Sequence, residues 1–210
     1  MIIECQNIRL RGIERSDLSD LRAWRNHDDV RRFLFDRRTI SEKDQMEWFD
    51  GLDRRNDLHL MIEENGSAHG LLQVKEYDPA KLTCTSAIFI RPDQASSPLP
   101  AVASILLTEF GFGPLGIRRV SAEIIDGNTA ALTLNRIIGF RSQKNQVDRH
   151  QLSMTPSDYL ENRTRLLRVV QVYLNTDTLR LSVTRSDDES FIGRIDPGLS
   201  RLPDRPDVVW

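Results

Sequence analysis

A chain of 210 residues, 39% hydrophobic and 29% charged, can bury one core plus an appendage without metal or disulfide staples, and is short for two domains. Its formal net charge of −2, with acids interleaved among the arginines, excludes the one-sided basic field of a nucleic-acid binder. No apolar run approaches the ~20 residues of a membrane span, and Cys5 and Cys84 offer neither a disulfide framework nor metal spacing. The segment Met1 to Gln6 lacks the basic and apolar stretches of a secretory signal, so a soluble, cytoplasmic protein is expected, with reduced thiols and no metal.

In chain order, Ile8-Arg9-Leu10-Arg11 alternates as a strand, and Asp17 is placed to cap a helix carrying Leu18, Leu21 and Trp24. Ser41 and Asp44 form a capping arrangement before a second helix with Gln45, Trp48, Phe49 and Leu52 on one face and Gly51 at its end. Leu58 to Ile62 and Gly70 to Val74 read as strands joined by the turn Glu64-Asn65-Gly66-Ser67, and Thr83 to Ile90 as the next strand of an antiparallel meander. After the loop from Arg91 to Pro100, Val102, Ile105, Leu106 and Phe110 follow helical spacing up to Gly111 and Gly113. Val120 to Ile125 is a buried-type strand, Asn128 caps a further helix, and Gly139 ends it. This strand, helix, strand order predicts a right-handed crossover from Thr83–Ile90 to Val120–Ile125, parallel or mixed with its neighbours.

His150 to Thr155 supplies a late strand, Pro156 suits a first helical turn, and Ser157 to Leu167 reads as helix. Val169 to Leu174 and Leu179 to Val183 alternate around Asn175-Thr176-Asp177, which predicts an added hairpin. From Ser186 the chain is rich in Asp, Arg and Pro, the composition of a loose or partner-dependent tail.

Two segments carry a resemblance. Asn128-Thr129-Ala130-Ala131, Leu134 and Gly139-Phe140 resemble the motif around the last core helix of the GNAT N-acetyltransferase superfamily. Trp24-Arg25-Asn26-His27, Val30, Phe33-Leu34-Phe35, Ile40-Ser41 and Trp48-Phe49 resemble the UDP-amino-sugar N-acetyltransferases of the pseudaminic-acid pathway; ribosomal-protein alanine acetyltransferases share a weaker version. The resemblance covers roughly residues 7 to 160. It implies an α/β (α+β) fold of GNAT type: a mixed, mostly antiparallel twisted sheet flanked by helices, with residues 1–160 as the acyltransferase domain and 161–210 as a C-terminal extension. The implied reaction is acyl transfer from acetyl-CoA or a related thioester to a primary amine, a small-molecule acceptor such as a UDP-amino sugar. A homodimer is also in keeping with it. The alternatives are a protein N-terminal acetyltransferase of ribosomal type and a GNAT-fold protein that binds without catalysing.

Aminolysis of a thioester needs a neutral amine, a polarised carbonyl and a proton for the departing thiolate. By the resemblance, the strand around Ile88, Phe89 and Ile90 meets the carbonyl and pantetheine through its backbone, and Asn128 stands in the donor site. The loop expected to hold the pyrophosphate, with Gln94, Ala95, Ser96 and Ser97, contains no glycine, while Pro98 and Pro100 donate no N–H and Asp93 adds a repelling charge. Glu123 falls at the acid position five residues before the motif asparagine and is the candidate base; otherwise it is an exposed strand residue paired with Arg119 or Arg141. The usual tyrosine acid seven residues after that asparagine is Asn135 here, a very poor proton source, which leaves Tyr77, Tyr159 and Tyr173 as candidates. Trp24, Arg25, Asn26, Phe33 and Phe35 are the candidate substrate-binding residues, with helix packing as the competing role of the aromatics.

Overall fold

The computed structural model describes residues 2–146, 148–184 and 208–209. Strands β1 (Ile2–Cys5) and β2 (Ile8–Gly12) lead through a turn to helices α1 (Leu18–Asn26), α2 (Asp28–Arg31) and α3 (Glu42–Asp50). Then come β3 (Leu58–Glu64), β4 (Ser67–Asp78), β5 (Thr83–Ile90), α4 (Leu99–Phe112), β6 (Arg119–Ile125) and α5 (Thr129–Ile138). The chain continues with β7 (Arg141–Gln146), β8 (Arg149–Met154), α6 (Pro156–Leu174), β9 (Leu179–Arg180), β10 (Ser182–Thr184) and β11 (Val208–Val209). Nine of these strands form one sheet in the order β10-β1-β2-β3-β4-β5-β6-β8-β7; β9 and β11 pair separately. Neighbours in the large sheet run antiparallel except β5 and β6, which are parallel as the crossover through α4 requires. This is the mixed, mostly antiparallel sheet flanked by helices that the sequence predicts.

Strand alternation sorts the apolar residues onto two faces. Leu60, Ile62, Leu72 and Val74 join α4 and α6 in the main core, whereas Met61, Leu71 and Phe89 pack with Leu18, Leu21 and Phe49 beneath α1 and α3. Helix α4 is buried nearly all round, from Leu99 and Val102 through Ile105, Leu106, Phe110 and Phe112, as befits a helix sandwiched between sheet and α6. Each such side chain contributes roughly 1.5–3 kcal/mol of burial. The expected capping box at Ser41 and Asp44 is present, and Thr155 with Asp158 makes another before Pro156. Gly139 ends α5 at φ 129°, and a Cβ there would lie 2.9 Å from the Asp158 carbonyl oxygen.

Three local expectations change. Asp17 does not cap α1 with its side chain: its carboxylate takes the Arg11 guanidinium at 2.7 and 2.8 Å and the Glu14 amide at 2.7 Å, bracing the turn before the helix. Val169 to Leu174 is no hairpin strand but the last turns of α6, because Val170 extends the helical stripe of Tyr159, Arg163, Leu166 and Leu167 into the core. Leu179 to Val183 does hold short strands, with β10 added antiparallel to β1. The division drawn after residue 160 thus falls inside α6. The tail read from Ser186 lies outside the described residues apart from β11, which runs parallel to β9.

Candidate active site

Strands β5 and β6 pair at only three positions, Thr83 with Arg119, Cys84 with Val120 and Thr85 with Ser121, although β5 runs on to Ile90 and β6 to Ile125. Beyond Thr85 they part, and a cleft of about 700 Å³ fills the opening. The edge of β5 that faces β6 there has no strand partner, so its backbone groups are available to a ligand. Within the cleft, Ile88 of β5, Leu107 and Thr108 of α4, and Asn128, Ala131 and Asn135 of α5 form the wall on the main-core side. Phe89 and Ile90 do not line it: the first packs in the smaller core and the second in the main core.

The loop before α4 is folded on itself. Gln94, Ala95 and Ser97 turn their amides to the carbonyls of Arg91, Pro92 and Gln94, and the Ser97 hydroxyl also donates to Gln94 at 2.8 Å. Ala101 and Val102 both donate to Pro98, and among the described residues the amides of Ser96 and Leu99 have no backbone partner. Asp93 is neutralised by a bidentate pair with Arg91, and its carboxyl is held below the usual range by that hydrogen bond. Gln94 to Ser97 lie outside the lining of the cleft. This stretch leads directly into the N-terminus of the fourteen-residue α4.

The other wall is polar. Residues alternating with the core side chains place Gln73 and Lys75 of β4, Thr85 of β5, Ser121 and Glu123 of β6, and Gln151 of β8 along it. Glu123 pairs with neither Arg119 nor Arg141, because its cross-strand neighbours on β8 reach it first. Arg149 donates to one carboxylate oxygen at 3.3 Å and Gln151 to the other at 3.2 Å. Arg141 instead binds Asp158 and Glu161. The Arg149 guanidinium lies 4.7 Å from the ring centre of Phe35, which is half exposed at the cleft mouth beside Phe33 and Leu34.

Trp24, Arg25 and Asn26 stay out of the cleft, and Arg25 and Asn26 hold the loop that enters it. Arg25 donates to the carbonyls of Arg38 and Asp36 at 2.9 and 3.0 Å, and the Asn26 amide both gives to and takes from the Ile40 backbone at 2.9 and 3.0 Å. Trp24 and Trp48 pack against the smaller core. The aromatics Phe33 and Phe35 therefore reach the cleft on a loop clamped at its base.

Residues 7–141, well over half of the chain, match the family described as acetyltransferase (GNAT) domain. The chain belongs to the GNAT acetyltransferase family. Solved GNAT structures share its fold at low identity. The spermidine N-acetyltransferase from Vibrio cholerae, in complex with CoA and spermine, superposes with a TM-score of 0.67 at 17% identity, over 73% of this chain and 98% of its own. FdhC, described as a nucleotide-linked sugar GNAT, gives 0.69 at 18%, over 81% and 98%. RimJ from Mycobacterium smegmatis, in complex with a CoA disulfide, gives 0.67 at 13%, over 80% and 92%. No curated protein matches the chain in sequence.

As a GNAT domain, this one places none of its tyrosines in the cleft. Tyr159 is buried and donates to Glu109 at 2.6 Å; burial, then the Glu109 charge, push its hydroxyl far above the ordinary range. Tyr173 donates to Glu64 at 2.8 Å and is pushed up to about 12 by desolvation and that carboxylate, while Tyr77 sits in the main core. Asn135 lines the cleft, but its amide donates back to Ala131 at 2.9 Å, and the Asn128 oxygen caps α5 by accepting from the Ala131 amide at 3.1 Å. Sequence reading missed Lys75, Glu76 and Arg119, which also line the cleft. Among the described residues no cluster of metal-ligating side chains is present, and no helix is long and apolar enough to cross a membrane.

Proposed function

We propose that this protein is an N-acyltransferase that moves an acetyl or related acyl group from an acyl-CoA thioester to the primary amine of a nucleotide-linked amino sugar. The observation that carries the reading is the parting of β5 and β6 beneath a polar wall, which exposes strand backbone between a donor side and an acceptor side. On the donor side the unpaired edge of β5 past Thr85 would hold the thioester arm, and Ser96, Leu99 and the α4 N-terminus its phosphates. On the acceptor side, Lys75 and Arg119 line the cleft without an ion pair among the described residues, and Phe35 offers a ring face beside Arg149. Free cations and an aromatic face suit an amine that also carries phosphate and a base, and disfavour a polycation such as spermidine. The free, buried thiols of Cys5 and Cys84 suit a reducing cytoplasm.

The test is an acceptor panel with acetyl-CoA: UDP-4-amino sugars, spermidine and peptides with a free N-terminal alanine, read by mass spectrometry. Acetylation of the nucleotide sugars well above the others is expected. Preference for the peptide or the polyamine would overturn the acceptor assignment, and no transfer to any amine with no acetyl-CoA binding would leave a GNAT domain that binds without catalysing.

A further inference from the structure

We infer that Glu76, and not Glu123, is the carboxylate that takes the proton of the acceptor amine; the inference rests on the acyltransferase reading above. Strand β4 carries a bulge: Lys75 faces Thr85 and Asp78 faces Thr83, so three steps on β4 oppose two on β5. The extra residue lets Lys75 and Glu76 both point away from the core before Tyr77 returns to it. Glu76 adopts φ 56°, a left-handed backbone that glycine or asparagine would tolerate better. Of the five described non-glycine residues with positive φ, Glu76 alone lines the cleft. The strained turn is braced from outside, with the Glu76 amide on the Asp57 carboxylate at 2.9 Å and the Tyr77 amide on the Asn56 carbonyl at 3.2 Å. Strain held in place at a cleft points to use.

The bulge aims the side chain at the apex of the opening. One carboxylate oxygen of Glu76 accepts the Thr85 hydroxyl at 3.0 Å, and Thr85 is the last residue of β5 paired with β6. Its other oxygen has no partner among the described residues, whereas Glu123 has Arg149 on one oxygen and Gln151 on the other. A carboxylate bonded only to a neutral hydroxyl keeps a lone pair for an N–H; one held by a guanidinium and an amide is placed to orient an acceptor. In the step, the amine nitrogen bonds to the thioester carbonyl carbon and its proton passes to the free Glu76 oxygen. The C–S bond then breaks with the electron pair leaving on sulfur, and water protonates the thiolate.

The experiment compares the native protein with Glu76→Gln, Glu76→Asp and Glu123→Gln, using acetyl-CoA and the amine preferred in the panel. Lys75, Arg119 and Glu123 line the same cleft as Glu76. Glu76→Gln should lower kcat roughly 10²–10³-fold with acceptor KM within a few-fold. Glu76→Asp should restore part of the rate, and Glu123→Gln should raise acceptor KM more than it lowers kcat. A Glu76→Gln protein that turns over like the native one, or a larger fall in kcat in Glu123→Gln than in Glu76→Gln, overturns the assignment. A native protein that transfers to no amine refutes the acyltransferase reading itself and this inference with it.

Discussion

Removing the charge of Arg163 should strongly destabilise the helical layer. Arg163 of α6 is 4% exposed and Glu109 of α4 fully buried. The guanidinium donates to both carboxylate oxygens at 2.8 Å, and Tyr159 donates to one of them at 2.6 Å. Arg163→Met keeps the aliphatic stem and leaves a buried carboxylate with only a phenol, which costs about 3–5 kcal/mol. Against a total stability of about 5–15 kcal/mol that is about a fifth or more of the fold's stability. For a chain of this size it corresponds to a fall in Tm of roughly 6–20 °C. The control is the triple variant Glu109→Met, Arg163→Met and Tyr159→Phe, which removes the buried carboxylate together with the two side chains that donate to it and should recover to within about 1–2 kcal/mol of the native protein, because no unpaired buried charge is left on Glu109 or Arg163. Urea unfolding followed by circular dichroism and tryptophan fluorescence measures both. A loss below about 1 kcal/mol in Arg163→Met, or a triple variant as unstable as the single one, would refute the reasoning.

Burial holds the His59 imidazole down to about 4, with Lys75 and Arg54 acting in the same direction and Asp57 opposing. A neutral buried histidine contributes stability present above its unfolded value and lost as pH falls through about 4, on the order of 3 kcal/mol. His59→Gln should therefore flatten the acid limb of stability between about pH 6.5 and 4, seen in urea midpoints at each pH. Asn26→Ala removes two hydrogen bonds to Ile40, about 1–3 kcal/mol in all. The loosened Phe33 to Phe35 loop should raise acceptor KM roughly 5–30-fold and leave donor KM unchanged. Asn135→Tyr puts a phenol on the α5 face that lines the cleft and should speed single-turnover transfer from acetyl-CoA at least about tenfold; an unchanged rate would show that thiolate protonation does not limit the step.

Much of this architecture is legible in the sequence because local signals agree with the packing. Asn128 and Gly139 bracket α5, the Ser41 box starts α3, and Thr83 to Ile90 is bounded as predicted. The errors occur where a short pattern has two readings. Val169 to Leu174 has β-branched residues that suggest a strand, yet Val170 lies on the buried helical stripe, and tertiary burial decides. The strand β1 is only four residues long and gains its place by pairing with β2 and β10. In the candidate site, Glu123, Asn128, Asn135, Phe33 and Phe35 come together along one cleft, but residue type alone does not tell a cleft-lining side chain from one that braces a loop. Arg25 and Asn26 resemble ligand contacts and prove to clamp a loop, since a side chain's reach to Ile40 or Asp36 depends on a turn no local rule specifies. Glu76 has no signal at all, because a bulge is a property of the β4–β5 register. The arginine that meets Glu123 sits 26 residues away and is fixed only when β6 and β8 pair.

The central claim is that the opening between β5 and β6 is where an acyl-CoA thioester is held for attack by an amine. Hydrogen exchange of the native protein, with and without acetyl-CoA, tests it residue by residue. The account predicts slowed exchange at amides of Ser86 to Ile90 that face the opening, and of Ser96 and Leu99, with no change at Thr83 to Thr85, where β6 already pairs with the strand. Acetyl-CoA that leaves Ser86 to Ile90 exchanging as before, or protects only segments away from the cleft, would contradict it.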